Sequence, residues 1–390
     1  MLSDSTLVVL LGGIAAAALV GLLVALLRTQ RTEDASRAYL AGVRYVLSDE
    51  PEAAFAELSR AARMNTATYD TYFALAAVMR RKGELAWAIQ LAQNMLKKPA
   101  LPAAVRRRAQ LELALDYRRA GMQDRARATF EQLLAAAPAD AEALLAYRRL
   151  LEELRDWSGA VEVQERLVEV EGKGADVLAH LLSELASASL ARDAAAARAL
   201  ADRAASLAPA SAHPRVEQAR AALGQGDRAG AQAALREALE REPELAPGPG
   251  LLLLEAGLSA DTAAGWFAEL ARREEHAAGP FTLARAEALV RGGLADQAVS
   301  TLQALLQHEP GFLEAQRALG ALLLARGPME SVRDAYRDVL RTLGEPVLAF
   351  VCRTCQAKFQ AFSFRCPGCG AWDQLARAPS QEFDQAEARA

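Results

Sequence analysis

The feature that most restricts how this chain can fold is a spacing. About every 34 residues the chain repeats one order: an apolar run closed by a small residue, a Gly, a second run with an Ala and a large apolar residue, then a Pro. The clearest copy reads Leu113-Ala114, Tyr117, Gly121, Ala126, Phe130, Leu133, Pro138. Earlier copies read Gly42, Tyr45, Ala54, Leu58, Ala61 and then Leu75-Ala76, Met79, Gly83, Ala88; Gly42 and Ala76 lie one such period apart. Pro209, Pro243 and Pro310 carry the register forward, the first step being one period and the second nearly two. Apolar residues at helical spacing with a helix-stopping Pro specify two helices per copy.

That period and pattern are those of the tetratricopeptide repeat. One helical hairpin cannot bury its apolar face alone, so neighbours stack and share a continuous core. Later copies show Ala160 and Leu167 with Trp157 at the turn; Gly226, Ala231, Leu235; Gly293, Ala298, Leu302; and Leu319-Gly320, Gly327, Tyr336. About nine repeats fit between residues 37 and 342, the one around Trp266 being weakest because Pro247-Gly-Pro249-Gly interrupts its start. The fold class expected is all-α, a tetratricopeptide solenoid over 29–346. Apolar residues at 52% with aromatics at only 6% suit closely approaching, Ala-rich helices. In such solenoids the first helix of each hairpin lines the concave face. The residues expected there are Phe73, Arg80, Arg108, Leu111, Leu115, Arg118, Leu145 and Arg149, a candidate groove for a peptide with carboxylates and apolar anchors.

The chain's four cysteines form two pairs, Cys352-x-x-Cys355 and Cys366-x-x-Cys369. Two such turns aim four thiolates at one centre, the donor set of a tetrahedral zinc site or a rubredoxin-like iron site. A redox pair needs one Cys-x-x-Cys at a helix start after a strand, and here the second pair encloses Pro-Gly, a tight turn. Leu348 to Val351 and Phe359 to Phe364 read as the strands of a small ribbon spanning 347–377. Phe350, Phe359, Phe362, Phe364 and Trp372 read as a mini-core around the metal; the other reading is that some dock on the solenoid. So few residues bury too little surface to fold unaided, so the metal supplies folding energy. Residues 378–390 are expected to form a disordered tail.

Leu7 to Leu27 contains no charged side chain, and 21 residues at about 1.5 Å each cross roughly the 30 Å hydrocarbon core. Residues 1–28 are therefore expected to be a transmembrane anchor. Arg28, Arg31, Arg37 and Arg44 follow the run and no basic residue precedes it, which places the remainder in the cytoplasm, where thiols stay reduced. Gly13, Ala17 and Gly21 fall four apart, a smooth stripe where another transmembrane helix can approach.

A net charge of −4 and an isoelectric point near 5.8 argue against nucleic acid as a partner, since phosphate binding needs a basic surface. His180, His213, His276 and His308 are scattered over different repeats and read as surface or packing residues without a paired carboxylate. With no phosphate loop, nucleophile elbow or zinc-protease helix in the sequence, no enzymatic activity is expected.

An N-terminal anchor, an Arg-rich exit, about nine tetratricopeptide repeats and the final Phe350-Val-Cys-Arg-Thr-Cys355 and Phe364-Arg-Cys-Pro-Gly-Cys-Gly-Ala-Trp372 together resemble the lipopolysaccharide assembly protein B family over nearly the full length. The chain departs from that family chiefly in its Ala-rich fifth repeat, Ala186 to Pro209. The resemblance implies a non-catalytic adapter in the bacterial inner membrane that restrains lipopolysaccharide synthesis. It would help an FtsH-type membrane protease degrade an LpxC-type deacetylase, opposed by an inner-membrane regulatory protein. The alternative is a scaffold that gathers lipopolysaccharide synthesis and export proteins without a role in proteolysis.

Overall fold

The computed structural model describes residues 33–46, 50–62, 69–273, 278–309, 311–326 and 350–377, together with positions 19, 22, 30 and 48. Apart from Leu19 and Leu22, which are helical and exposed, the apolar run of residues 7–27 lies outside the described residues, and so do Gly13, Ala17, Gly21 and residues 378–390. Among the described residues no helix is long and apolar enough to cross a membrane. The chain divides into two compact units, Met1–Leu154 and Arg155–Ala390.

The first unit holds helices α1 (33–46), α2 (Pro51–Ala62), α3 (Tyr69–Arg81), α4 (Leu85–Leu96), α5 (Ala103–Arg119), α6 (Gln123–Ala136) and α7 (Ala141–Glu153). They follow one another as hairpins with the expected period. The turn inside a hairpin reverses the chain through one left-handed residue, and Gly occupies it: Gly83 has φ +80° and Gly121 φ +71°. Within a hairpin the helices meet at small residues; a Cβ on Gly42 would lie 2.6 Å from Leu58 Cγ, so no larger residue fits there. Ala126, Phe130 and Leu133 are fully or almost fully buried, and Phe130 stacks on Tyr147 of the next repeat with ring centres 5.5 Å apart.

Ion pairs at about one repeat's separation link successive hairpins of this unit. Arg80 reaches Glu112 at 2.9 Å and the buried Asp116 at 3.1 Å; Arg107 reaches Asp140 at 2.7 Å and Glu142 at 2.9 Å; Arg118 pairs with Glu153. Asp140 also caps α7 by accepting the Ala143 N–H at 3.2 Å, so one carboxylate closes a helix end and joins two repeats.

The second unit continues with α8 (Trp157–Glu171), α9 (Ala175–Ser189), α10 (Ala194–Leu207), α11 (His213–Gly224) and α12 (Arg228–Arg241). Ala186, Ala197 and Ala201 of the Ala-rich fifth repeat form a small core with Ala221 of α11, which brings the helices close with little side-chain volume. Where Pro247-Gly-Pro249-Gly interrupts the pattern, the first helix of the hairpin is replaced by 3-10 turns Pro243–Leu245 and Pro249–Leu251 and a short α13 (Leu252–Glu255). The apolar positions survive the loss of helix, since Leu245, Ala246, Leu251 and Leu253 bury into one cluster with Phe267 and Phe281. Helices α14 (Ala260–Arg273), α15 (Ala278–Arg291), α16 (Ala295–His308) and α17 (Leu313–Arg326) resume the hairpins. The helix expected after Gly327 lies outside the described residues.

Three short strands follow: β1 (Phe350–Cys352), β2 (Lys358–Phe359) and β3 (Leu375–Arg377), in the order β2-β1-β3 and antiparallel. Phe350 faces Phe359 on one side and Arg377 on the other, and Cys352 faces Leu375. Of the strand expected over Phe359–Phe364 only Phe359 is in a strand, Lys358–Phe359, and the chain bends away afterwards; of the strand expected over Leu348 to Val351, residues 348 and 349 lie outside the described residues. Leu375–Arg377, which has no alternation to mark it, supplies the third strand instead.

Candidate metal centre and the face it rests on

The four cysteines arrive at one point because two turns of the same design hold them. Cys352 N–H donates to the Ala357 carbonyl at 3.0 Å and Gln356 N–H returns to the Cys352 carbonyl at 2.9 Å. In the second turn Cys366 N–H donates to Ala371 at 2.7 Å and Gly370 N–H returns to Cys366 at 2.9 Å. The fifth residue of each turn is left-handed, Gln356 at φ +59° and Gly370 at φ +74°.

The four sulfurs lie within 4.8 Å of one another, with Cys352–Cys369 and Cys355–Cys366 each at 3.7 Å. None is in a disulfide. Four sulfurs at about 2.3 Å from a tetrahedral metal are separated by about 3.8 Å, so these two contacts match the spacing of a zinc or iron tetrathiolate and the quartet could hold such an ion. Cys352 and Cys366 are buried while Cys355 and Cys369 face solvent, an exposed rim on an otherwise closed site. Burial opposes ionisation of Cys352, but N–H groups of Cys355 and Thr354 and neighbouring sulfurs outweigh it and lower this thiol to about 6. At Cys369 the Ala371 N–H favours the thiolate, yet burial and the three other sulfurs push it up to about 12. Phe350, Cys352, Cys366 and Leu375 form the small core, with Phe359 and Phe362 against it.

The remaining aromatics do something else. Trp372 lies flat on His180, rings parallel and 4.9 Å apart, and Phe364 stacks on His213 at 4.1 Å. Asp373 receives His180 Nε2 at 2.9 Å and the Ser211 hydroxyl at 3.0 Å. Arg377 grips both oxygens of Glu244, at 2.9 Å and 2.7 Å, and reaches Glu314 at 2.9 Å. Phe362 and Phe364 join the apolar cluster of the interrupted repeat. The module therefore rests on the face lined by α9, α11, the 3-10 turns and α17, all first-helix positions of their repeats. Both readings of the aromatics hold, for different residues.

The reading of the histidines as scattered and without carboxylates needs correction. His180 and His213 are buried and meet Nδ1 to Nδ1 at 3.2 Å, and His180 pairs with Asp373. Each also begins a His-x-x-x-Glu step, His180/Glu184 and His213/Glu217, offset by about one repeat. That offset was the signal available in the sequence. His308 is exposed, and His276 lies outside the described residues. Burial, then His180 and Arg220, hold His213 neutral well below its ordinary range. Burial lifts Glu217 to about 7 against the pull of Arg220 and with the push of Glu184. Beside these groups lies a cavity of about 530 Å³, bounded by α9, α11 and the module's Phe350, Phe362 and Phe364.

In the first unit several of the candidate groove residues have intramolecular partners. Phe73 and Leu111 are buried, Arg108 lies over the Phe73 ring at 4.1 Å, and Arg80 and Arg118 hold the carboxylates described above. Leu115 and Leu145 are half-buried and Arg149 is exposed.

With tetratricopeptide hairpins ending in a four-cysteine knot, the resemblance can be judged along the whole chain. The chain is similar to lipopolysaccharide assembly protein B. It is 25% identical to that protein from Escherichia coli K12 over 348 residues, covering 87% of this chain and 89% of the relative. The protein of the same name from Escherichia coli O157:H7 gives the same figures. No family model matches the chain. Among solved structures, a tetratricopeptide repeat protein from Parabacteroides merdae has a TM-score of 0.37 at 15% identity, covering 78% of this chain and 98% of that one. YrrB, described as a tetratricopeptide protein with an unusual peptide-binding site, also has 0.37, at 18% identity over 51% of this chain and 96% of its own. The solenoid assignment rests on the helix pairs themselves.

Proposed function

We propose that this protein is a non-catalytic adapter of lipopolysaccharide assembly, held in the bacterial inner membrane by residues 7–27, with its solenoid on the cytoplasmic side. Its repeats hold partner proteins and its cysteine quartet holds one zinc or iron ion. In this reading the solenoid binds an LpxC-type deacetylase and brings it to an FtsH-type membrane protease, while an inner-membrane regulatory protein opposes the encounter. Restricting the adapter and the protease to the bilayer raises the effective concentration of the held deacetylase at the protease, so modest contacts suffice. Catalysis stays with the protease. The observation that carries the reading is the match to lipopolysaccharide assembly protein B over 89% of that protein's length. With Arg80 and Arg118 held by carboxylates of neighbouring helices, the exposed Arg149 is the groove cation that would meet an acidic segment.

The test is the half-life of the deacetylase after depletion of this protein from its own host. The adapter reading predicts that degradation slows severalfold and lipopolysaccharide rises. An unchanged half-life with disturbed lipopolysaccharide would favour a scaffold that assembles synthesis and export proteins, the reading suggested by the relative's name.

A further inference from the structure

The contacts under the module have the chemistry of peptide recognition. The rings of His180 and His213 form an aromatic shelf; His180 Nε2 and the Ser211 hydroxyl form a carboxylate seat; Glu244 and Glu314 form a guanidinium seat. The chain fills the shelf with Trp372 and Phe364, the first seat with Asp373 and the second with Arg377. All of these flank the second cysteine turn. Asp373 N–H donates to the Phe364 carbonyl at 2.7 Å, Arg365 bridges to Trp372, and Cys366 N–H holds Ala371 at 2.7 Å. The hairpin that displays the docking residues is thus closed by the same turn that supplies Cys366 and Cys369. Its sheet is only three short strands, too little to persist without the cross-link that four thiolates make through a metal. The cavity beside Glu217 and Phe362 shows that the module leaves part of the face uncovered.

We propose that the first-helix face of the fifth to ninth repeats is a peptide-binding surface that the chain's own metal module covers as a pseudo-ligand. The occupant it fits when uncovered is a partner segment with an aromatic residue, an adjacent carboxylate and an Arg four positions on, the pattern of Trp372, Asp373 and Arg377. The proposal rests on the cysteine quartet being a metal centre. While the metal is bound, the tethered module outcompetes any free segment through its effective concentration. When the metal is lost, the display hairpin loosens and the face becomes available.

The test is fluorescence anisotropy with a labelled peptide of the sequence of residues 371–377 and the full chain in detergent, with metal content measured on every sample. Metal-loaded protein should bind at least tenfold more weakly than chelator-stripped protein. A metal-loaded Trp372→Ala/Arg377→Ala variant, uncovered without touching the cysteines, should bind as the stripped protein does. Adding His180→Ala and Glu244→Gln to that variant should abolish binding. Equal affinity for loaded and uncovered forms, or none for either uncovered form, overturns the proposal. A chain that purifies without metal refutes the metal reading separately, and the Trp372→Ala/Arg377→Ala comparison still decides whether the face binds the peptide.

Discussion

Glu217 illustrates how one side chain carries the tension at the docking face. It is 3% exposed and paired with Arg220 at 2.6 Å, yet burial raises it from the ordinary carboxylate value to about 7. The folded chain keeps this proton up to about pH 7 while the unfolded chain releases it near 4.5. Between those values the native state binds more protons, so this group's contribution to stability falls as pH rises. Glu217→Gln should therefore flatten the decline in stability between pH 5 and 8, gaining on the order of 2 kcal/mol at the upper end, as read by denaturant melts. A parallel loss at every pH would show that the Arg220 pair matters more than the burial. The cysteines were legible from spacing alone. The His180–His213–Asp373 cluster was not, because Asp373 comes from several repeats further along the chain than His213, and no local pattern announces such a meeting.

The hairpin turns and helix caps are where local sequence dictates most. Gly121 sits at φ +71° with open space around its missing Cβ, so Gly121→Ala should cost about 1 kcal/mol through backbone strain alone. Asp140→Ala removes both the α7 cap and the acceptor for Arg107, and should cost about 2 kcal/mol, more than a cap alone. Thermal melts of the two variants check both values and their order. The repeat period set the hairpins, and the interrupted seventh repeat was visible as Pro247-Gly-Pro249-Gly. The third strand of the module escaped notice, because Leu375–Arg377 is held by pairing with Phe350–Cys352 and by ion pairs to Glu244 and Glu314, all distant in sequence. Since this sheet is so small, chelation should raise amide exchange across 350–377 by at least tenfold while α5 and α6 stay protected. Equal protection with and without metal would mean the sheet stands unaided.

At the scale of the molecule, the second unit joins helical hairpins to a four-thiol knot that rests on their first-helix face. Stacked hairpins supply an extended surface, and in the account proposed above the knot adds a metal-dependent closure over part of it. If recruitment is the task, its specificity is set by which first-helix residues are free and which the module covers. All of this depends on the state of four sulfurs. X-ray absorption at the metal edge of the purified full chain measures that state most directly. The account predicts one zinc or iron per chain with four sulfur neighbours at about 2.3 Å. A chain holding no metal, or sulfurs joined pairwise as disulfides, would contradict it.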